Sequence, residues 1–330
     1  MAQLGILAEL MEQGLLDNVK EWHGCSCGSI AAIFCALGVT AGWIRDFVGI
    51  LNLQIVGTPQ DEYIANYMQF WGVSDFSVGI EILQKSLETW HPGSSNWTFA
   101  DFAAARPDVS LTLIATNVSR RRLTRFCVTE TPTVRIVDAV RASCAVPLFY
   151  VPWVDASGDL HCDGAVIEYY PWSYLTDKDN TLVIACHATH FREPTGISSI
   201  ADFMNAMLLC ARTPPKEKPR NWIAINRPDI ALLDFAMSME EKQAIFDDGR
   251  AGARRWLAWR ERCALLPPTN SEQATAQTRT LSDHPDTLYA GHPSLDRTWD
   301  SHRSGIPQPT AYPFQGSRSD RPRTSRRWSL

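Results

Sequence analysis

The run Gly24-Cys25-Ser26-Cys27-Gly28 has the residue types of a nucleophile elbow, a strand-turn-helix corner that presents a serine hydroxyl for attack on an acyl group. Serine is a poor nucleophile until a base takes its proton, so hydrolases hold it at an exposed corner beside a base and oxyanion donors. Small residues two before and two after the serine let the backbone bend without side-chain collision, and Gly24 and Gly28 fill those positions. The N–H of Cys27, next after the nucleophile, is a candidate oxyanion donor at the start of a helix whose dipole favours developing negative charge.

The base must come from elsewhere in the chain. Asp163, in Cys162-Asp163-Gly164-Ala165, is one candidate, because a strand-end carboxylate followed by glycine can approach a hydroxyl without a bulky neighbour. Asp-Gly is also a common turn dipeptide, and the second one, Asp248-Gly249, reads as a helix surface or C-cap. Four histidines offer a serine-histidine alternative: His23 beside the elbow, His161 on the strand face of Asp163, and His187 and His190 after a strand. Cys25 and Cys27 flank Ser26, and Cys162 adjoins Asp163. Cys-x-Cys without a second ligand pair reads as small residues around a tight turn more readily than as a metal site, and three thiols there would make the site oxidation-sensitive. Arg120, Arg121 and Arg122, with Arg125, suit either a solvated hairpin loop or contact with lipid headgroup phosphate.

The elements that must hold these residues follow from periodicity. Leu4, Leu7, Leu10 and Met11 recur at helical spacing, with Gly14 near the end of the pattern. Val19 to His23 reads as a short strand, and after the elbow Ile30, Ile33, Phe34 and Leu37 form the stripe of a buried helix. Trp43 to Trp97 reads as mainly helical. Val109 to Val118 and Thr181 to Cys186 have the composition of buried strands, with Trp222 to Ile225 a weaker candidate. Ile230 to Trp256 suits amphipathic helices packed on a sheet, so the class is α/β.

The chain has 330 residues, 45% of them hydrophobic and 20% charged, which suits an enzyme-sized globular domain. A formal net charge of −5 gives no whole-chain reason to expect a nucleic-acid partner. Nine cysteines at irregular spacing suit reduced thiols in an intracellular compartment, cytoplasmic or peripheral at a membrane. The first residues lack a signal-peptide pattern, and the most apolar stretch, Ser29 to Ile44, falls short of the roughly 20 residues of a bilayer span. Composition divides the chain into a domain over 1–266 and a disordered Ser/Pro/Arg-rich tail over 267–330, whose basic end could touch acidic lipid.

Further segments make the reading specific. Ala142-Ser143-Cys144-Ala145-Val146-Pro147 lies just upstream of Asp163-Gly164-Ala165, which itself follows the elbow by about 140 residues. With Leu111 to Asn117, Thr129-Glu130-Thr131-Pro132, and Leu233-Asp234-Phe235 followed by Glu240-Glu241-Lys242 and Gly249, the chain resembles the patatin-like phospholipases from Leu4 to about Trp256. The resemblance implies a three-layer α/β/α fold with a mostly parallel central sheet and a dyad of Ser26 and Asp163. It implies acyl esters of phospholipids, lysophospholipids or neutral lipids as substrates, with transient contact at a membrane surface and no metal or organic cofactor. It also implies a first strand and a glycine-rich oxyanion loop ahead of the helix in which these residues begin, so an incomplete N-terminus lacking that strand is expected. Losing an oxyanion donor costs about 2.7 to 4 kcal/mol of transition-state stabilisation, which makes a catalytically impaired lipid-binding or interaction protein the alternative expectation.

Overall fold

The helical period of Leu4, Leu7 and Leu10 becomes α1 (Ala2–Glu12). In the computed structural model, which describes residues 1–57, 67, 69–168, 170–187, 219, 221–226 and 235–265, α1 stops at Gly14, whose φ is 67°. Gly14 N–H donates to Met11 O at 2.9 Å and Leu15 N–H to Leu10 O at 3.0 Å, the paired bonds of a Schellman stop that needs a left-handed residue. Strand β1 (Glu21–Cys25) follows, and the elbow leads straight into α2 (Cys27–Ala36). The predicted strand-turn-helix unit is therefore present, with the strand shifted two residues toward the turn.

The region read as mainly helical contains α3 (Ala41–Ile50), α4 (Leu53–Gly57) and α5 (Ser77–Trp90). Helix α6 (Phe99–Ala105) begins with a capping box between Thr98 and Asp101, and then comes β2 (Ser110–Asn117). A tight turn joins β2 to β3 (Arg122–Phe126), and α7 (Ile136–Cys144) leads to the short pair β4 (Trp153–Val154) and β5 (Leu160–Asp163). Strands β6 (Leu182–His187) and β7 (Asn221–Asn226) and the long α8 (Met239–Leu265) complete the described elements. Helices alternate with strands, as an α/β class requires.

The strands form two sheets. In the first, β1 pairs parallel to β2, while β3 and β5 pair antiparallel to β2 and β4 pairs antiparallel to β5. In the second, β6 and β7 are parallel. The first sheet is thus mixed where a mostly parallel one was expected. Tight hairpins, β2–β3 and β4–β5, force antiparallel neighbours, whereas a parallel pair needs a long crossover.

Helix α1 serves two cores. Leu4, Leu7 and Ala8 pack with α2, α3 and β2 in the larger one, while Ala2, Ile6 and Leu10 pack with Ile223 and Ile225 of β7 and with Ile245, Ala253 and Trp256 of α8. The expected helices over residues 230–256 are, within the described residues, the single helix α8. Gly249 stands mid-helix against α1, not at a cap or on an open surface: a Cβ there would lie 2.1 Å from Ala2 O. His190, Leu233, Asp234 and the tail over 267–330 lie outside the described residues.

Candidate active site

One edge of β2 brings the two chemical residues together. Leu113 and Ile114 pair with both β1 and β3, and Ala115 to Asn117 pair with both β3 and β5. A strand has two edges, so β1 and β5 share the edge opposite β3. On it β1 runs with β2 and ends at Cys25 opposite Ile114, while β5 runs against β2 and ends at Asp163 opposite Ala115. The two C-terminal ends therefore meet, and the residues at those ends, Ser26 and Asp163, come into contact: Ser26 Oγ donates to Asp163 Oδ2 at 2.5 Å.

The elbow is a strained corner. Ser26 has φ 56° and ψ −135°, a region that side-chain-bearing residues seldom occupy and that costs about 1 to 3 kcal/mol. Gly24 is required there, since a Cβ would lie 2.5 Å from Ser29 Cα and 2.7 Å from Gly28 O. Gly28 differs, because its Cβ would meet nothing nearer than Gln3 Nε2 at 3.7 Å, an ordinary contact. What its lack of a side chain leaves open is the space around the first turn of α2. Ser29 ties that turn down, accepting nothing new from the corner but donating its N–H and Oγ to Ser26 O at 2.8 and 2.6 Å. The N–H groups of Cys27 and Gly28 open the first turn of α2, where no preceding turn of the helix offers them a carbonyl.

Asp163 is buried, with 4% of its surface exposed. Ala165 N–H donates to its Oδ1 at 2.8 Å, which leaves Oδ2 for the serine, and its own N–H donates to Ala145 O at 2.8 Å. Gly164 is needed beside it: a Cβ would lie 2.7 Å from Ile114 O and 2.8 Å from Cys25 Sγ. Ser143, to which the sequence reading gave no role, completes the frame. Fully buried at the end of α7, it accepts the Ser26 N–H at 2.9 Å and donates to Ile114 O at 2.6 Å. Its neighbours Ala142 and Ala145 are small and buried, but nothing in the spacing of that segment marks one hydroxyl as a brace.

The other candidates are placed elsewhere or serve packing. His161 is 1% exposed, its Nε2 lies 3.0 Å from Asp155 Oδ2, and its ring lies against Phe126 and Trp153. It is a core residue on β5 whose ring is engaged by Asp155. His23 lies on β1 with Nε2 3.5 Å from Glu21, and burial pushes its pKa down. His187 ends β6, and its side chain lies outside the described residues. Burial first, and the charge of Asp163 second, push the Cys162 thiol up to about 12 and hold Cys144 well above the ordinary thiol range. Cys25 packs over Gly164, and Cys27 is exposed with its Sγ 3.5 Å from Gln3 Oε1. Among the described residues no group of three or more His, Cys, Asp or Glu is arranged to hold a metal ion.

Arg120, Arg121 and Arg122 are exposed at the β2–β3 turn. Arg120 is bound to Asp159, which Asn117 Nδ2 also reaches at 3.0 Å, while Arg121 has φ 54°. The turn begins three residues after Ile114, so it projects about 10 Å beyond the serine end of the sheet. A cavity of about 790 Å³ opens on the dyad, with Val146, Pro147, Ala165 and Val166 as its apolar wall beside Asp163.

A sequence-family profile described as Patatin-like phospholipase matches residues 1–176, more than half of the chain. The chain belongs to this family. The patatin-like residues so matched include the elbow and Asp163-Gly164-Ala165, and membership makes lipid hydrolysis the activity to consider at the family level. A relative, Uncharacterized protein R571 of Acanthamoeba polyphaga mimivirus, is 24% identical over 266 residues, covering 75% of this chain and 86% of that one. VipD from Legionella pneumophila is a structural neighbour with TM-score 0.50 and 16% identity, over 78% of this chain and 65% of VipD. The type III effector ExoU of Pseudomonas aeruginosa aligns with TM-score 0.42 and 17% identity, over 79% of this chain and 51% of ExoU. The VipD likeness bears on the fold and agrees with a three-layer patatin-like α/β/α arrangement. None of the described helices is long and apolar enough to cross a membrane.

Proposed function

We propose that the protein is a serine-dependent lipid acyl hydrolase in which Ser26 is the nucleophile and Asp163 the base. The observation that carries the reading is the 2.5 Å bond from Ser26 Oγ to Asp163 Oδ2, made from a strained elbow at the mouth of an apolar cavity. Asp163 accepts the serine proton as Oγ attacks the ester carbonyl carbon. The oxyanion forms beside the α2 N-terminus, where the Cys27 and Gly28 N–H groups are available and the helix dipole opposes the new charge. Collapse expels the alcohol, which takes the proton from Asp163, and leaves an acyl-Ser26 ester. Asp163 then deprotonates a water that attacks this ester, and the fatty acid leaves as Ser26 recovers its proton.

No histidine is needed for this sequence of steps, since Ala165 fixes one carboxylate oxygen and the other faces Oγ. The wall of Val146, Pro147, Ala165 and Val166 suits an acyl chain. Arg121 and Arg122 are the cations assigned to a headgroup phosphate, because Asp159 already engages Arg120. A fluorophosphonate probe tests the reading: the 330-residue protein should be labelled at Ser26, with labelling lost in Ser26→Ala and reduced a hundredfold or so in Asp163→Asn. Absence of labelling in correctly folded wild-type protein would favour the lipid-binding alternative.

A further inference from the structure

We propose that the side-chain amide of Gln3 is an oxyanion donor at the elbow, an assignment that rests on Ser26 being the nucleophile. The amide sits against the first two residues of α2: the Cys27 thiol donates to Gln3 Oε1 at 3.5 Å, and a Cβ built on Gly28 would meet Gln3 Nε2 at 3.7 Å. Each Cα–Cβ direction on a helix tilts toward the N-terminus, so a group reached from both residues lies beside the opening turn of α2. In that turn the N–H of Cys27, the residue after the nucleophile, meets the developing charge. The thiol sets the amide's orientation. It gives its hydrogen to the oxygen, so the oxygen end faces Cys27 and the NH2 end, with two donors, faces Gly28. A methyl on Gly28 would fit without collision, but it would fill the space in front of those donors.

The donor is also held in place. Gln3, Leu7 and Leu10 of α1 line the cavity at i, i+4, i+7 spacing, so Gln3 is the polar member of an apolar stripe and stands at its elbow end. Residues on either side of it are laid against α8: Ala2 O against Gly249, and Gly5 against Phe246 O. A donor fixed in this way needs no rearrangement as charge develops, which is the source of its effect on rate. For packing alone a leucine would serve, as it does at positions 7 and 10, because a thiol is a weak hydrogen-bond partner. Being neutral, the amide can donate to an oxyanion without pairing with the Asp163 carboxylate, which must stay free to take the serine proton.

The test compares the full chain with Gln3→Leu, which removes the amide, and Gln3→Glu, which keeps its size and its acceptor for the Cys27 thiol but offers no N–H at neutral pH. Fluorophosphonate labelling of Ser26 and hydrolysis of p-nitrophenyl decanoate are followed in parallel. Both variants should label and turn over about a hundred- to a thousandfold more slowly, as on loss of an oxyanion donor, with KM within about threefold of the wild type. Affinity for a long-chain trifluoromethyl ketone, whose serine adduct carries an oxyanion, should fall with kcat, while affinity for decanoate should not. Unchanged labelling and kcat in both variants, or a loss carried by KM alone, overturns the assignment and leaves Ser26 as the nucleophile. A loss in Gln3→Glu without one in Gln3→Leu also overturns it, since the introduced charge then accounts for the effect. No labelling of folded wild-type protein overturns the reading of Ser26 and this assignment with it.

Discussion

Ser143 ties the nucleophile to the sheet, since its one hydroxyl accepts the Ser26 N–H and donates to Ile114 O. Replacing it by alanine leaves a donor and an acceptor unmet inside the protein, a loss of about 1 to 3 kcal/mol. Ser143→Ala should therefore lower the Tm and also slow probe labelling of Ser26, because the strained corner loses its brace. Unchanged labelling at a lowered Tm would show that the corner holds without it. Gly164→Ala belongs to the same scale: its Cβ must push back either the Ile114 carbonyl or Cys25 Sγ, and Asp163 is the neighbour that moves. Labelling should fall at least about tenfold in circular-dichroism-native protein. Ser26 and Asp163 were legible in the sequence because each sits in a short motif whose glycines have a local steric reason. Ser143 was not, since its role is set by Ile114 and Ser26, 29 and 117 residues away in the chain. The surroundings of His161 were illegible for the same reason: strand alternation gives its face but not the Asp155 and Trp153 that occupy it.

The crossing of α1 and α8 is set by two glycines and one carboxylate. A Cβ on Gly5 would lie 1.9 Å from Phe246 O, and one on Gly249 2.1 Å from Ala2 O, so each helix lays its backbone against the other. In an isolated helix Gly→Ala stabilises by about 1 kcal/mol. Here Gly5→Ala and Gly249→Ala should instead destabilise by about 1 to 3 kcal/mol, as overpacking does, and chemical denaturation reads the sign. Glu9, buried on α1, accepts from Arg254 and Arg250 of α8 at 2.9 Å each. The Arg254 bond most of all, then Arg250, outweighs burial and holds its carboxyl below the ordinary value of 4.5. The stabilisation from this clamp is thus complete above pH 4.5 and declines as the pH falls through the lowered value. Glu9→Gln should flatten that acid limb of a Tm-versus-pH curve, and an unaltered limb would refute the assignment. Periodicity found α1 and α2, and apolar composition found β2 and most of β6 and β7, because each is buried along most of its length. It could not find β1 and β5 meeting end to end on one edge of β2, since register is a long-range property.

At the scale of the molecule, α1 makes the two sheets interdependent. Ala2, Ile6 and Leu10 serve one core while Leu4, Leu7 and Ala8 serve the other, so neither core survives the loss of this helix intact. Thermal unfolding should therefore be one transition for β2 and β7 alike, followed by segment-resolved hydrogen exchange; separate transitions would contradict the shared-helix account. The alternation of helical periods with apolar strands reached the α/β class, while the sheet's mixed character awaited the hairpins. The backbone of Ser26 has a consequence for the whole fold. Its φ of 56° is a conformation that glycine adopts at little cost, so Ser26→Gly relieves strain that the native protein carries at all times. Against that relief stand the freer unfolded chain and the lost hydrogen bond to the buried Asp163 carboxylate, together of about the same size, so Ser26→Gly should leave the Tm within about 2 °C of the wild type. The substitution that removes the Ser26 hydroxyl thus costs the fold little. On the reading proposed above, loss of the nucleophile would therefore meet little stability barrier at this corner.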